Sequence, residues 1–143
     1  MEALAEENVK LTDLIPVSEK AAGLGGSQLF LALGDRISFK EMMIGIGTGS
    51  ANDASWAMAE FSTGSVEVFV ARINEKALEL GMVNTNFVNP HGLHDENHYT
   101  TAYDIALMSL ELLCYPKIHE WITIWYDEEF LQGKIKKKGR CLP

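Results

Sequence analysis

A chain of 143 residues with 47% hydrophobic content is long enough for one domain with a sizeable core. Twelve Lys and Arg against twenty Asp and Glu leave a formal net charge of -8, which argues against a general affinity for nucleic acid or an anionic membrane, because neutralising phosphates takes a basic surface. No apolar run reaches the roughly 18 residues of a membrane span, and the start Met1-Glu2-Ala3-Leu4-Ala5-Glu6-Glu7 lacks the basic and apolar regions of a signal peptide.

In chain order, residues 2–11 read as the tail of a helix that begins before the chain does, with Asn8 as its C-terminal stop. Residues 17–22 read as a short extended or helical piece. Gly23-Leu24-Gly25-Gly26-Ser27 is a flexible loop, and the apolar run 28–33 ends at Gly34-Asp35. Ser38-Phe39-Lys40-Glu41 has the form of a capping box, so a helix is expected to open there and to run through Met42, Met43, Ile44 and Ile46. Gly47 and Gly49 each cost about 1 kcal/mol against Ala in a helix interior, so the helix is expected to break at them. Ser50 and Asn52 then sit at a helix junction, and a second buried run through Ala54, Trp56, Ala57, Met58, Ala59 and Phe61 extends to Ser62-Thr63-Gly64.

Residues 65–80 carry the clearest periodicity, with Val66, Phe69, Val70, Ile73, Ala77 and Leu80 on one face, and predict an amphipathic helix stopped by Gly81. Residues 84–98 are rich in Asn, Pro, Gly and His and predict an irregular surface loop. Thr101-Ala102-Tyr103-Asp104 repeats the capping pattern, with Asp104 as its far end. The helix it opens is apolar nearly all round, which predicts a central buried helix. Cys114 reads as a small core residue, and with Cys141 it makes neither a disulfide framework nor a zinc spacing. His119-Glu120-Trp121 reads as one more turn, residues 122–126 as a strand, and residues 131–143 as a basic, solvated tail. Trp56, Trp121 and Trp125 read as core or interface aromatics.

Several stretches together resemble the serine-type D-alanyl-D-alanine carboxypeptidases, the low-molecular-weight penicillin-binding proteins of the peptidase S11 family. They are Val17-Ser18-Glu19-Lys20-Ala21, Gly25-Gly26-Ser27, Ser50-Ala51-Asn52-Asp53-Ala54, Asn74-Glu75-Lys76-Ala77, Asn84-Thr85, Phe87-Val88-Asn89-Pro90-His91-Gly92-Leu93 and His98-Tyr99-Thr100-Thr101-Ala102-Tyr103-Asp104. The match runs from about Met1 to Phe130. Three motifs mark that family's site: Ser-x-x-Lys, Ser-x-Asn and Lys-Thr-Gly. Only the second is present, as Ser50-Ala51-Asn52; no Ser meets a Lys three places on, and no Lys is followed by Thr-Gly. Ala51 stands where the family usually has Gly, and Gly47 and Gly49 stand where it has apolar residues.

The resemblance implies the mainly α lobe of the penicillin-binding, β-lactamase-like α+β fold, with little sheet at the C-terminal end. Residues 1–143 would form one partial domain from the middle of the enzyme. It implies a peptidoglycan stem peptide or a β-lactam as ligand, no cofactor, and an extracytoplasmic, cell-envelope setting. Ser50 would relay a proton toward the leaving D-alanine, Asn52 would hydrogen-bond the substrate backbone, and Gly25, Gly26 and Ser27 would lie on the substrate side. A chain with neither nucleophile nor base is expected to be inert alone. Apolar helix faces left without their usual neighbours are expected to promote self-association. The alternatives are a non-catalytic module that binds cell-wall peptide or protein, and a metal-binding helical protein using His91, His94, His98 and Asp95. Against the latter, those ligands lack the helical register that aims side chains at one ion.

Overall fold

The computed structural model describes residues 9–124 and 130–131. Most of the expected N-terminal helix tail, the Trp125-Tyr126 half of the expected strand and nearly all of the basic tail lie outside them. Val9 to Leu11 lead into a turn rather than a helix, closed where the Lys10 N–H donates to Asp13 Oδ2 (2.8 Å).

Two short strands and six helices follow. Strand β1 (Leu14–Pro16) pairs antiparallel with β2 (Arg36–Ser38), setting Ile15 opposite Ile37 on the buried side. Three-residue strands show too little alternation to be read from sequence, and the sheet lies in the first third of the chain. Between them Ser18 caps helix α1 (Glu19–Ala22) by accepting the Ala21 N–H. Residues 28–32 cross the molecule with no helix or strand, Leu29 and Leu31 inward and Phe30 outward.

Helix α2 (Phe39–Gly49) opens with the expected capping box, Ser38 Oγ accepting from the Glu41 N–H and Glu41 from the Ser38 N–H. It runs through Gly47 and Gly49 and ends one residue later, at Ser50 in the left-handed region (φ 50°). The glycines therefore do not break it. Gly45 lets the 28–32 segment in: a Cβ there would meet Leu29 Cδ1 at 2.5 Å. Helix α3 (Asn52–Thr63) buries Ala54, Ala57 and Ala59, small residues that let α1, α2 and β1 approach, and stops at left-handed Gly64. Helix α4 (Val66–Glu79), capped by Ser65, follows the predicted bounds closely.

The core gathers Ile15, Leu29, Leu31, Ile37, Phe39 and Met42 around the alanines of α3. A smaller cluster joins Ile44 of α2 to Ile118 and Trp121 of α6 (Pro116–Ile122). Three expectations fail here. Ile122 closes α6 instead of opening a strand, because Pro116 at the helix start and the packing of Ile118 and Trp121 favour continuing the helix. Helix α5 (Ala102–Leu113) is not buried: only Asp104 is, while Leu110 is 64% exposed and Ile105, Met108, Leu112 and Leu113 are also open. Burial needs a neighbour, and among the described elements the main contact of α5 is with α6. Cys114, at the end of that helix, is exposed for the same reason, its Sγ donating back to Leu110 O.

Candidate functional site

The junction of α2 and α3 is a sharp corner. Ser50 holds its left-handed conformation because its N–H still bonds Ile46 O (3.1 Å) and the Ala51 N–H reaches Gly45 O (3.4 Å), which close the end of α2. A non-glycine residue in this region costs on the order of 1–3 kcal/mol and persists where surroundings fix it. The result leaves Ser50 exposed while Ala51 is buried, and turns Asn52, only 5% exposed, inward. Asn52 is bound twice to the loop before the crossing segment. Its backbone N–H donates to Ser27 O (2.8 Å) and its Nδ2 to Gly25 O (2.8 Å). Gly26, left-handed at φ 83°, lies so close that a Cβ would come within 2.6 Å of Asn52 Nδ2. Four of the predicted site residues, Asn52 and Gly25-Gly26-Ser27, are thus direct neighbours, and Ser50 stands exposed two residues before Asn52.

A third wall comes from the 84–98 loop. The position of a Gly26 Cβ would lie 3.7 Å from Leu93 Cδ2, so this loop reaches the corner. Its shape is set from within. Asn89 Oδ1 accepts from the N–H groups of His91 (3.3 Å) and Gly92 (2.7 Å), and Asn89 Nδ2 donates to Leu93 O (2.9 Å). The His91 ring stacks on Trp56 of α3 (centroids 5.9 Å, planes 22° apart), and His91 Nδ1 accepts the Leu93 N–H (3.2 Å). Burial, and then the neighbouring charge of His98, lower the His91 pKa below the ordinary imidazole value. His98 packs edge-on against Phe87, its Nδ1 accepting the Val88 N–H. These imidazoles are engaged in packing and backbone contacts, and among the described residues no three His, Cys, Asp or Glu side chains are grouped to hold a metal ion.

Three residues central to this arrangement carry no site signal in the sequence. Asp53, 1% exposed, binds the crossing segment through backbone N–H groups of Leu29 and Leu31 (3.0 Å each). Asp104 does not close a capping box: Thr101 caps α5, but the Asp104 carboxylate accepts from the Asn84 N–H (3.0 Å) and Thr85 Oγ1 (2.7 Å), tying the loop to α5. Asn74 of α4 pairs with both backbone groups of Phe87 (2.7 and 2.8 Å), as a strand would. Each reads locally as a helix-start or helix-face residue, and the long-range partner is invisible until the chain is folded. Trp56 is half-buried and packs against the edge of the core: Lys20 Nζ lies 5.6 Å from its ring, and its Nε1 donates to Glu60 (2.9 Å). An open cleft of about 480 Å³, lined by Ser18, Glu19, Lys20, Gly23, Leu24 and Glu60, includes none of the corner residues.

Comparison with known proteins identifies the family and the fold. The family model for D-alanyl-D-alanine carboxypeptidases, peptidase S11, matches residues 1–139. The D-alanyl-D-alanine carboxypeptidase DacF of Bacillus subtilis is 49% identical over 138 residues, covering 96% of this chain and 35% of the relative. The crystal structure of the D-alanyl-D-alanine carboxypeptidase DacD from Francisella tularensis superposes with a TM-score of 0.82 at 34% identity, over 85% of this chain and 30% of that one. Penicillin-binding protein 5 from Haemophilus influenzae does so with a TM-score of 0.79 at 33% identity, over 82% of this chain and 36% of that one. The chain spans about a third of the length of these relatives. Its helices are those of the helical lobe of penicillin-binding, β-lactamase-like domains, and the chain belongs to the peptidase S11 family of D-alanyl-D-alanine carboxypeptidases.

Proposed function

We propose that this chain supplies the helical lobe and the Ser-x-Asn wall of a serine-type D-alanyl-D-alanine carboxypeptidase site, acting on peptidoglycan stem peptides at the cell envelope. The observation that carries this reading is the corner itself: an exposed Ser50 two residues from an Asn52 locked to the Gly25-Gly26-Ser27 backbone. In the proposed reaction Ser50 relays a proton to the departing D-alanine, and Asn52 orients the stem peptide's backbone. Both are helpers to a nucleophile. A serine hydroxyl attacks a carbonyl only with a base beside it, and Ser-x-x-Lys is absent from these 143 residues. Alone, then, the chain forms no acyl-enzyme. Among the described residues no helix is long and apolar enough to cross a membrane.

Intact mass after incubation with a penicillin tests this directly. The expected result is an unmodified chain, and a stable adduct of one penicillin per chain would overturn the assignment of Ser50 as a helper. Titration with a D-alanyl-D-alanine peptide, read at the amides of residues 25–27 and Asn52, separates an enzyme wall from a module that binds protein instead. The proposal expects those amides to shift first, and shifts confined to another face would count against it.

A further inference from the structure

Asp53 carries a buried carboxylate, and no ion pair among the described residues involves it. Among the described residues, its partners are backbone N–H groups. Oδ1 accepts from Leu29 (3.0 Å) and Ala54 (2.9 Å), and Oδ2 from Leu31 (3.0 Å). Between the two distant donors stands Phe30, left-handed at φ 60° with its ring turned out, so that two N–H groups from alternate residues converge on one anion. Backbone concavities of this kind hold anions, and here the anion is part of the chain. Residues 28–32 lie in no helix or strand, so Leu29 and Leu31 have no sheet ladder to satisfy their buried N–H groups if the carboxylate leaves.

The geometry points to Asp53 as the positioning residue of the Ser50-Ala51-Asn52 corner. By fixing residues 29–31 to the first turn of α3, it keeps Gly25-Gly26-Ser27 against Asn52 and so sets the space between loop and corner. It touches no substrate and acts through its neighbours. Its bearing on catalysis rests on the carboxypeptidase reading above, whereas its mechanical role does not.

The test uses the full 143-residue chain with Asp53→Asn, which keeps the shape but presents an N–H where the carboxylate accepted one. Amide exchange at Leu29 and Leu31, whose N–H groups the carboxylate holds, is expected to quicken about tenfold or more while that of α4 stays within about twofold, because local opening is separable from global unfolding. The Asn52 side-chain amide signal is expected to move as well, although the Asp53 carboxylate makes no hydrogen bond to that side chain, which a merely fold-stabilising residue would not cause. Unchanged exchange at Leu29 and Leu31, equal quickening in α4, or a fixed Asn52 signal would each overturn the proposal. Should Asp53→Asn not fold, Asn52→Ala decides: the Leu29 and Leu31 amides, held by Asp53, are expected to keep their protection although the Asn52 side-chain bond to Gly25 O is gone, and loss at Leu29 and Leu31 would overturn it. Exchange needs no substrate, so a negative penicillin or peptide experiment leaves this result standing.

Discussion

Two glycines on α2, one turn apart by half, answer to opposite pressures. A methyl group at Gly45 would run into Leu29 Cδ1 at 2.5 Å, a buried side chain that has to shift within the core, while one at Gly47 would find only Ile122 Cγ2 at 3.9 Å. Overpacking costs about 1–3 kcal/mol and exceeds the helix-propensity gain of up to about 1 kcal/mol. Gly45→Ala is therefore expected to lower stability in urea unfolding by about 1 kcal/mol, and Gly47→Ala to raise it by about 0.5–1 kcal/mol. The sequence marks Gly47 and Gly49 as helix breakers on the same propensity, but it has no view of what occupies the space beside Gly45. Asp104→Ala leaves the Asn84 N–H and the Thr85 hydroxyl without their acceptor. A loss of about 1–3 kcal/mol in the same experiment is expected. His91 gives the chain a pH response. A folded pKa below the unfolded one means the fold favours neutral imidazole, so its contribution is present above about pH 6.5 and is lost as pH falls through the folded pKa. Trp56 lies against that ring, so its fluorescence is expected to change with a midpoint below about pH 6.5, and the change should vanish in His91→Gln. A midpoint above that value would contradict the assignment.

Among elements, those with local signals were legible and those defined by partners were not. The Ser38 box, the Ser65 cap and the six-residue apolar stripe of α4 fix two helices without reference to anything distant. The strands β1 and β2 exist only as a pair, and the fate of α5 depends on a neighbour the sequence cannot display. Its hydrophobicity predicts a covered face, yet Leu110, Leu112 and Leu113 stand open. An apolar surface of this kind drives association. Leu110→Glu is expected to shift the chain toward monomer in sedimentation velocity while changing its unfolding free energy by no more than about 0.5 kcal/mol, as for other surface changes. A wild-type chain that is monomeric at high concentration would contradict the expectation.

For the molecule as a whole, the Ser50-Ala51-Asn52 motif and its companion pieces were enough to suggest the family, because their order and spacing survive in the sequence. The way the site is assembled was not legible, since it depends on Asp53, Asn74 and Asp104 reaching backbone groups 13 to 24 residues away. The measurement that tests the account most directly replaces the matching segment of Bacillus subtilis DacF, 49% identical, with this chain and follows D-alanine release from a D-alanyl-D-alanine peptide. The account predicts an active chimera whose rate falls about 100-fold or more with Ser50→Ala, the scale of a lost proton-transfer group. A folded chimera that releases no D-alanine, or one indifferent to Ser50→Ala, would contradict it.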